Sequence, residues 1–254
     1  MAKWWTESWN PVTGCTPISE ACRNCYAKRW AKDRLAGKAG YPAGDDCFKP
    51  TMHPDRLDQP FHWQKRRRVF VGNMGDIFHE DITDESLHEI FFPIYTLTDH
   101  VWMVLTKRVE RMVKFLLDKP ALGPNVWIGV TVESDKYLWR IEEMLKVRKV
   151  HKDVHFFLSV EPMLSGLSLR KWLEIDRLAG TKEWVRSGFK PELSWIQCGG
   201  ETGPEPRPMD PKWAYDLLDE CRAAGVAFFF KQNYGRKPIP VGLDVQEIPK
   251  DAEV

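Results

Sequence analysis

A mixed α/β fold on a parallel sheet, in the form of a partial (β/α)6-type barrel, follows from three features of this 254-residue chain. Six short, continuous, β-rich apolar runs recur along it, as expected of strands buried on both faces. Amphipathic stretches of helical length separate them, which predicts right-handed βαβ units. Polar residues and glycines follow nearly every run, and in parallel barrels the reactive groups lie just past the C-terminal strand ends.

The elements follow in order. A short strand is expected near Ser8–Asn10, then a cysteine-rich segment, then a helix from Tyr26 through Leu35. Residues 37–68 are a polar excursion with Gly and Pro, read as a lid, a substrate loop or surface padding. The first strong strand is Val69-Phe70-Val71, followed by a helix over about 84–97. Val101–Leu105 and Val126–Val130 are strands, each followed by an amphipathic stretch, at about 108–118 and 135–147. His155–Val160 is a strand, and residues 165–194 form a second charged insertion before the strand Trp195–Cys198. The helix over 211–224 has clear boundaries: Asp210 suits its cap, Pro211 its first turn and Gly225 its exit. Val226–Phe230 is the last strand. Neither insertion reads as an independent domain, so residues 1–254 are expected to form one domain.

Composition sets further bounds. Hydrophobic residues are 43% and charged residues 29%, ordinary for a globular protein. The formal net charge of +1 provides no global field for a polyanion, so any nucleic-acid contact must be local. No apolar run approaches the roughly 18 residues of a membrane span, and Met1–Glu7 lacks a signal-peptide core. These features predict a cytoplasmic protein without a membrane partner. Six cysteines in that compartment are expected as thiols or metal ligands. Twelve tryptophans serve core packing first, and base stacking is the sharper reading for some of them.

The strand tails give a set of site residues. They are Asn73, Gly75 and Asp76 after the 69–71 strand, Lys107 and Arg108 after 101–105, and Glu133 after 126–130. Ser159 and Glu161 close the 155–160 strand, Gly199, Gly200 and Glu201 follow 195–198, and Lys231 follows the last strand. Their recurrence predicts one shared pocket. For each residue taken singly, a capping or surface role competes.

Cys15, Cys22 and Cys25 have C-x6-C-x2-C spacing. Three thiolates can hold three corners of an iron–sulfur cube and leave the fourth iron open for chemistry, whereas four protein ligands close a site. A zinc site is the competing reading, with Cys47 or His53 as the fourth ligand, but the paired knuckles usual for zinc are missing. Cys47, Cys198 and Cys221 are scattered and are not expected to join.

Asn10-Pro11-Val12-Thr13-Gly14-Cys15 with Cys22-Arg23-Asn24-Cys25-Tyr26-Ala27 resembles the cluster loop of radical S-adenosylmethionine enzymes, particularly those related to spore photoproduct lyase. That group has three residues between its first two cysteines, where this chain has six. Thr6–Cys15, Cys22–Ala27, Gly75–His79, Trp127–Glu133, Ser159–Pro162, Gly199–Gly203 and Phe229–Gln232 are similar, over nearly the whole chain, to the phage Gp37/Gp68-like proteins, or DUF5131 family.

The resemblance implies a barrel of the radical SAM kind. It also implies a [4Fe–4S] cluster on Cys15, Cys22 and Cys25, and S-adenosyl-L-methionine as cofactor, cleaved to a 5′-deoxyadenosyl radical. Asn73, the Gly75 carbonyl and Asp76 are then expected to accept from the methionine ammonium. Glu133, Ser159 and Glu161 would meet ribose, carboxylate or substrate. Lys107, Arg108, Gly199, Gly200, Glu201 and Lys231 are substrate-binding candidates. An external electron donor is implied, as is a possible partner protein with a three-Cys motif.

The basic run Lys65-Arg66-Arg67-Arg68 competes between a solvated lead-in and a phosphate contact. With the family likeness to a phage protein and a DNA lyase, it leads to an expected nucleic-acid base as substrate, in DNA rather than free. The expected activity is phage DNA modification in a host bacterial cytoplasm. Two other classes stay open: a metal- or cluster-stabilised nucleic-acid-binding protein without catalysis, and an iron–sulfur sensor or electron carrier.

Overall fold

A computed structural model describes residues 3–177, 184–186 and 191–254. The chain is mixed α/β with parallel sheet strands and forms two compact units. One comprises Trp5–Val130 and Arg140–Val154, with the last residue; the other comprises Met1–Trp4, Thr131–Trp139 and His155–Glu253.

In the first unit four parallel strands stand in the order β1 (Glu7–Trp9), β4 (Arg68–Val71), β5 (Val101–Thr106), β6 (Val126–Thr131). Trp9 pairs with Val71, Val69 with Trp102, and Val104 with Ile128. Nearly every residue of β4, β5 and β6 is buried, which is why they read as unbroken apolar runs rather than alternating ones. Helix α2 (Asp84–Thr96) begins where Thr83 accepts from Ser86 N–H at 3.2 Å, and it buries Leu87, Ile90, Phe91 and Ile94 on one face. Helix α3 (Val109–Leu117) buries Val109, Met112, Val113 and Leu116, and the short α4 is Trp139–Leu145.

The excursion at 37–68 is mostly short 3₁₀ turns, but it is not padding. Its strand β3 (Thr51–Met52) pairs antiparallel with β2 (Val12–Thr13). Its Tyr41 and Phe48 pack with Ala27 and Ala31, against Cys15, Cys25, Leu35 and Met74. Helix α1 (Tyr26–Trp30) continues as a π-helical turn over Ala31–Leu35, within the span expected for that helix.

The second unit has three parallel strands, β7 (His155–Val160), β10 (Trp195–Cys198) and β11 (Ala227–Phe230), with β10 central. Ser159, Gln197 and Phe229 lie side by side across them. Helix α5 (Arg170–Leu173) follows β7, and β8 (Ile175–Arg177) pairs antiparallel with β9 (Trp184–Arg186). The insertion at 165–194 includes residues 178–183 and 187–190, which lie outside the described residues. Helix α6 (Pro211–Ala224) has the expected ends: Asp210 accepts from Lys212 N–H at 2.9 Å, and Gly225 takes φ +67°. Glu220 of α6 is buried and accepts from Ser168 Oγ–H at 2.6 Å and Leu169 N–H at 2.7 Å, holding the start of α5. The free side of β11 is covered by the tail, where Phe230 N–H donates to Val245 O at 2.8 Å.

Trp4, Trp9, Trp102, Trp127 and Trp195 are fully buried, with Trp4 edge to face on Trp195 and Trp9 on Trp102, so these five indoles are core. Trp30, 57% exposed, and Trp139, 45% exposed, are not. No described helix is long and apolar enough to cross a membrane.

His151 ties the far end of α3 to the next loop. Its Nδ1 accepts from Leu122 N–H at 3.0 Å, so its Nε2–H donates at 2.8 Å to Leu116 O in the last turn of α3, which also accepts from Lys119 N–H at 3.0 Å. Burial lowers its pKa below the ordinary 6.5. Burial is also the leading cause that lowers His53, His79 and His100. A depressed histidine contributes stability that is full above the unfolded value and is lost as pH falls through the folded value. The urea midpoint should therefore drop between about pH 7.5 and about pH 5.5. The drop should be smaller in His151→Gln, which cannot gain a proton there; an identical drop in both proteins would remove His151 from the account.

Candidate functional site

The cysteine loop is seated on the C-terminal end of β4 by contact between two backbones. Gly14 N–H donates to Met74 O at 2.9 Å, and Gly14 and Gly75 form an isolated parallel bridge. A Cβ on Gly75 would stand 2.8 Å from Gly14 O. A Cβ on Gly14, where φ is +81°, would stand 2.2 Å from Lys49 O. Only glycine fits either position. Cys15 N–H donates to Phe48 O at 3.1 Å, so the excursion closes the loop from its other side. Around the strand tail, Met74 N–H donates to Asn10 Oδ1 at 2.9 Å, Tyr26 Oη–H to Asn73 O at 2.5 Å, and Asn73 Nδ2–H to Ser8 Oγ at 3.0 Å. Asn73 Oδ1 is buried and has no hydrogen-bond partner.

A charged network surrounds Cys15. Arg108 Nη1–H donates to Cys15 Sγ at 3.1 Å. The same guanidinium donates to Glu80 Oε2 at 2.8 Å and to Thr16 O and Oγ1 at 3.1 and 2.9 Å, and lies 3.5 Å from Asp76. Asp76 is buried and accepts from Thr106 Oγ–H at 2.8 Å, Phe78 N–H at 3.1 Å and Lys107 N–H at 3.3 Å. Its carboxylate is therefore already surrounded by donors. His79 Nδ1 accepts from Asp81 N–H at 3.1 Å, leaving Nε2–H to donate to Thr16 Oγ1 at 2.8 Å.

Burial, with the Asp76 charge second, pushes the Cys15 thiol up to about 12, against the opposing pull of Arg108. For Cys22 burial is the largest single influence and acts upward, but backbone bonds at Ile18 and Ser19 and the Lys107 charge outweigh it, and the thiol moves down. The Arg108 hydrogen bond pulls Glu80 down to about 2. Burial raises Cys198 and Cys221 far above the ordinary thiol.

Thiolate sulfur is a donor that both a zinc ion and an iron–sulfur cluster accept. Cys15, Cys22 and Cys25 are free thiols, each half-buried. Among the described residues no three His, Cys, Asp or Glu side chains gather closely enough for a single metal ion. His53, a fourth zinc ligand in the competing reading, has its Nε2 2.7 Å from Thr13 Oγ1. For the amino group of S-adenosylmethionine, the unpartnered Asn73 Oδ1 is an acceptor of the right kind.

The second unit has its own polar cluster at its strand ends. Lys231 Nζ lies 3.2 and 3.3 Å from the two oxygens of Glu161, and Ser159 Oγ–H donates to Glu161 Oε2 at 3.4 Å. Gln232 Nε2–H donates to Gly200 O at 2.9 Å and to Glu161 Oε1 at 3.4 Å. A Cβ on Gly199 would lie 2.7 Å from Gln232 Nε2, and one on Gly200 2.3 Å from Tyr234 N. These two glycines serve close packing. Glu201 is buried and holds Arg207 through the Arg207 N–H at 2.9 Å, its Nε–H at 3.0 Å and an ion pair to Nη2. Glu133 is fully buried, and its carbonyl accepts from Leu164 N–H at 2.8 Å.

A family model described as "Protein of unknown function (DUF5131)" matches residues 1–244. The chain belongs to the DUF5131 family. Neither a curated protein nor a solved structure matches it.

In this DUF5131 protein the structure brings Cys15, Asp76 and Arg108 into one network with the Asn73–Gly75 tail, and it gathers Ser159, Glu161, Gly199, Gly200 and Lys231 into another. Sequence reasoning missed three residues. Arg207 partners Glu201 across a loop with no regular spacing. Gln232 is hidden beside the more conspicuous Lys231. Gln197 is fully buried, and neither of its amide atoms has a partner; it lay inside an apolar run and was read only as strand. The basic run divides: Lys65 and Arg66 are exposed, Arg67 pairs with Glu7 and lies 5.3 Å over Trp63, and Arg68 is buried in β4. Two of its four side chains are thus engaged in the fold.

Gly14→Ala should lower the unfolding free energy by about 3 kcal/mol or more, because it adds a backbone clash to positive-φ strain. Gly44→Ala, also at positive φ but with open space around the new methyl, should cost only about 1 kcal/mol. Equal urea-denaturation losses would contradict the tight seating of the cysteine loop.

Proposed function

We propose that this DUF5131 protein is a radical S-adenosylmethionine enzyme that modifies a nucleic-acid base, in DNA rather than free. The observation that carries the reading is the seating of a loop with three free thiols directly on a parallel-strand end, beside a buried acceptor without a partner. The motif resemblance to radical S-adenosylmethionine cluster loops supplies the chemistry. The finer reading of the fold, a partial barrel of the radical SAM kind, belongs to the same proposal.

Cys15, Cys22 and Cys25 would hold a [4Fe–4S] cluster. With S-adenosylmethionine, that cluster supplies one-electron cleavage of a sulfonium bond and so hydrogen-atom abstraction from a substrate. Asn73 Oδ1 and the Gly75 carbonyl would orient the cofactor's ammonium, while Asp76 holds the loop and Arg108 in place. Packing of Tyr41, Phe48 and Met74 against Cys15 and Cys25 restricts water at the thiolates. In the other unit, Glu161 and Lys231 offer paired charges to a polar ligand. An external one-electron donor is required. The exposed Lys65 and Arg66 are the phosphate contacts that remain from the basic run.

Anaerobic reconstitution with iron and sulfide, followed by dithionite and S-adenosylmethionine, should yield a brown protein and 5′-deoxyadenosine. Cys22→Ala should lose the visible absorbance, while Cys47→Ala should keep it; full iron content in Cys22→Ala would refute the ligand assignment.

The DNA part has its own test. Neutralising Lys65 and Arg66 together should weaken DNA binding and reduce its salt slope by about one per lost phosphate contact. A wild-type protein with no salt-dependent DNA affinity would leave a small nucleotide or a peptide as substrate.

A further inference from the structure

We propose that Arg108 is a positioning residue that clamps the Cys15 ligand and raises the reduction potential of the cluster it holds. The inference rests on the cluster reading above. Sequence position alone placed Arg108 among the substrate contacts, as a cation at a strand end. The structure gives it a different partner.

The guanidinium is aimed at sulfur and has little freedom to turn away. Nη1 donates to Cys15 Sγ at 3.1 Å, Nε to Glu80 at 2.8 Å, and Nη2 to both oxygens of Thr16 at 3.1 and 2.9 Å. Asp76 stands 3.5 Å from Nη1, and the Arg108 side chain is only 7% exposed. Its backbone is fixed as well, since Arg108 N–H donates to Thr106 Oγ1 at 2.8 Å. A planar fork can satisfy Glu80, Thr16 and Cys15 at once, whereas a lysine ammonium is a single point charge.

The chemical consequence follows from charge. A cluster with three thiolates is anionic, and one-electron reduction adds negative charge to its iron and sulfur atoms. A hydrogen-bond donor on a ligand sulfur stabilises the reduced form more than the oxidised form, so the potential rises. Asp76 and Glu80 offset part of the guanidinium charge, but they also hold the N–H in line with the sulfur. The donor on Cys15 makes the electron from an external reductant easier to accept. Within the cysteine-bearing unit this couples the β5 end to the first cysteine, residues far apart in sequence.

The test is an EPR-monitored reductive titration of reconstituted wild type, Arg108→Gln and Arg108→Lys, with dithionite as reductant and iron and sulfide counted per chain. The expected result is full cluster content in all three. At a fixed potential the reduced-to-oxidised ratio should fall at least about tenfold in Arg108→Gln, which is about 59 mV for one electron. Arg108→Lys should lie between. A wild-type midpoint in a fully loaded Arg108→Gln overturns the proposal. Should Arg108→Gln hold no cluster, Arg108→Lys decides: a shifted midpoint supports the tuning role, and an unshifted one overturns it. Loss of cluster from both variants beside a loaded wild type overturns tuning in favour of a purely structural role. Failure of the wild type itself to take up iron and sulfide is seen before any variant is made, and it removes the cluster reading together with this one.

Discussion

The contact of Gly14 with Gly75 is the constraint on which the candidate site depends. Two backbones meet where any side chain would push them apart, with a would-be Cβ only 2.8 Å from the facing carbonyl. Because β4 is paired on both sides, by β1 and β5, its end is a fixed point. The cysteine loop inherits that rigidity through one hydrogen bond and one close approach. A loop of eleven residues from Cys15 to Cys25 has little regular structure of its own, so ordering it needs such anchors. Phe48 and Lys49 supply the opposing wall, which explains why the excursion between the cysteines and β4 is retained in the packed core.

Seating a thiol in a buried, charged environment is costly. Burial and Asp76 both disfavour a thiolate at Cys15, and Arg108 alone among its close partners favours one. Buried charges persist when they are paired and hydrogen-bonded. Here the pairing is shared: Arg108 serves Cys15, Asp76 and Glu80, while Thr106 and two backbone N–H groups serve Asp76. Removing any single member leaves another uncompensated. Such a network narrows the positions that the Cys15 thiol can occupy. Cys198, by contrast, lies buried 3.6 Å from the Met163 sulfur.

Much of the fold was legible because burial on both faces writes strands as continuous apolar runs, and because α6 has an Asp cap, a Pro first turn and a Gly exit. His155–Val160 and Trp195–Cys198 match their expected bounds, and the other strands shift by a residue or so. The tails after the strands were also legible, since polar residues crowd there. What could not be read was which polar groups face each other. Arg108 and Cys15 are ninety-three positions apart, and no periodicity links a strand tail to a distant loop. Gln197 was invisible for the opposite reason, as a polar residue enclosed by a hydrophobic run. The 37–68 excursion was misjudged in weight because 3₁₀ turns and glycines carry no helical or strand period, although its aromatic residues pack beneath the cysteines.

The basic run shows the same limit from the electrostatic side. Four consecutive cations suggest a phosphate track, but the run leads into β4, which begins at Arg68. Arg67 stacks on Trp63 and pairs with Glu7, and Arg68 is taken into the core. Of the four, Lys65 and Arg66 are the exposed ones. A net charge of +1 adds no global field that would draw in a polyanion. On the proposed nucleic-acid reading, contacts from two exposed cations would add little affinity and would be salt-sensitive, because phosphate contacts position a polyanion without reading its sequence.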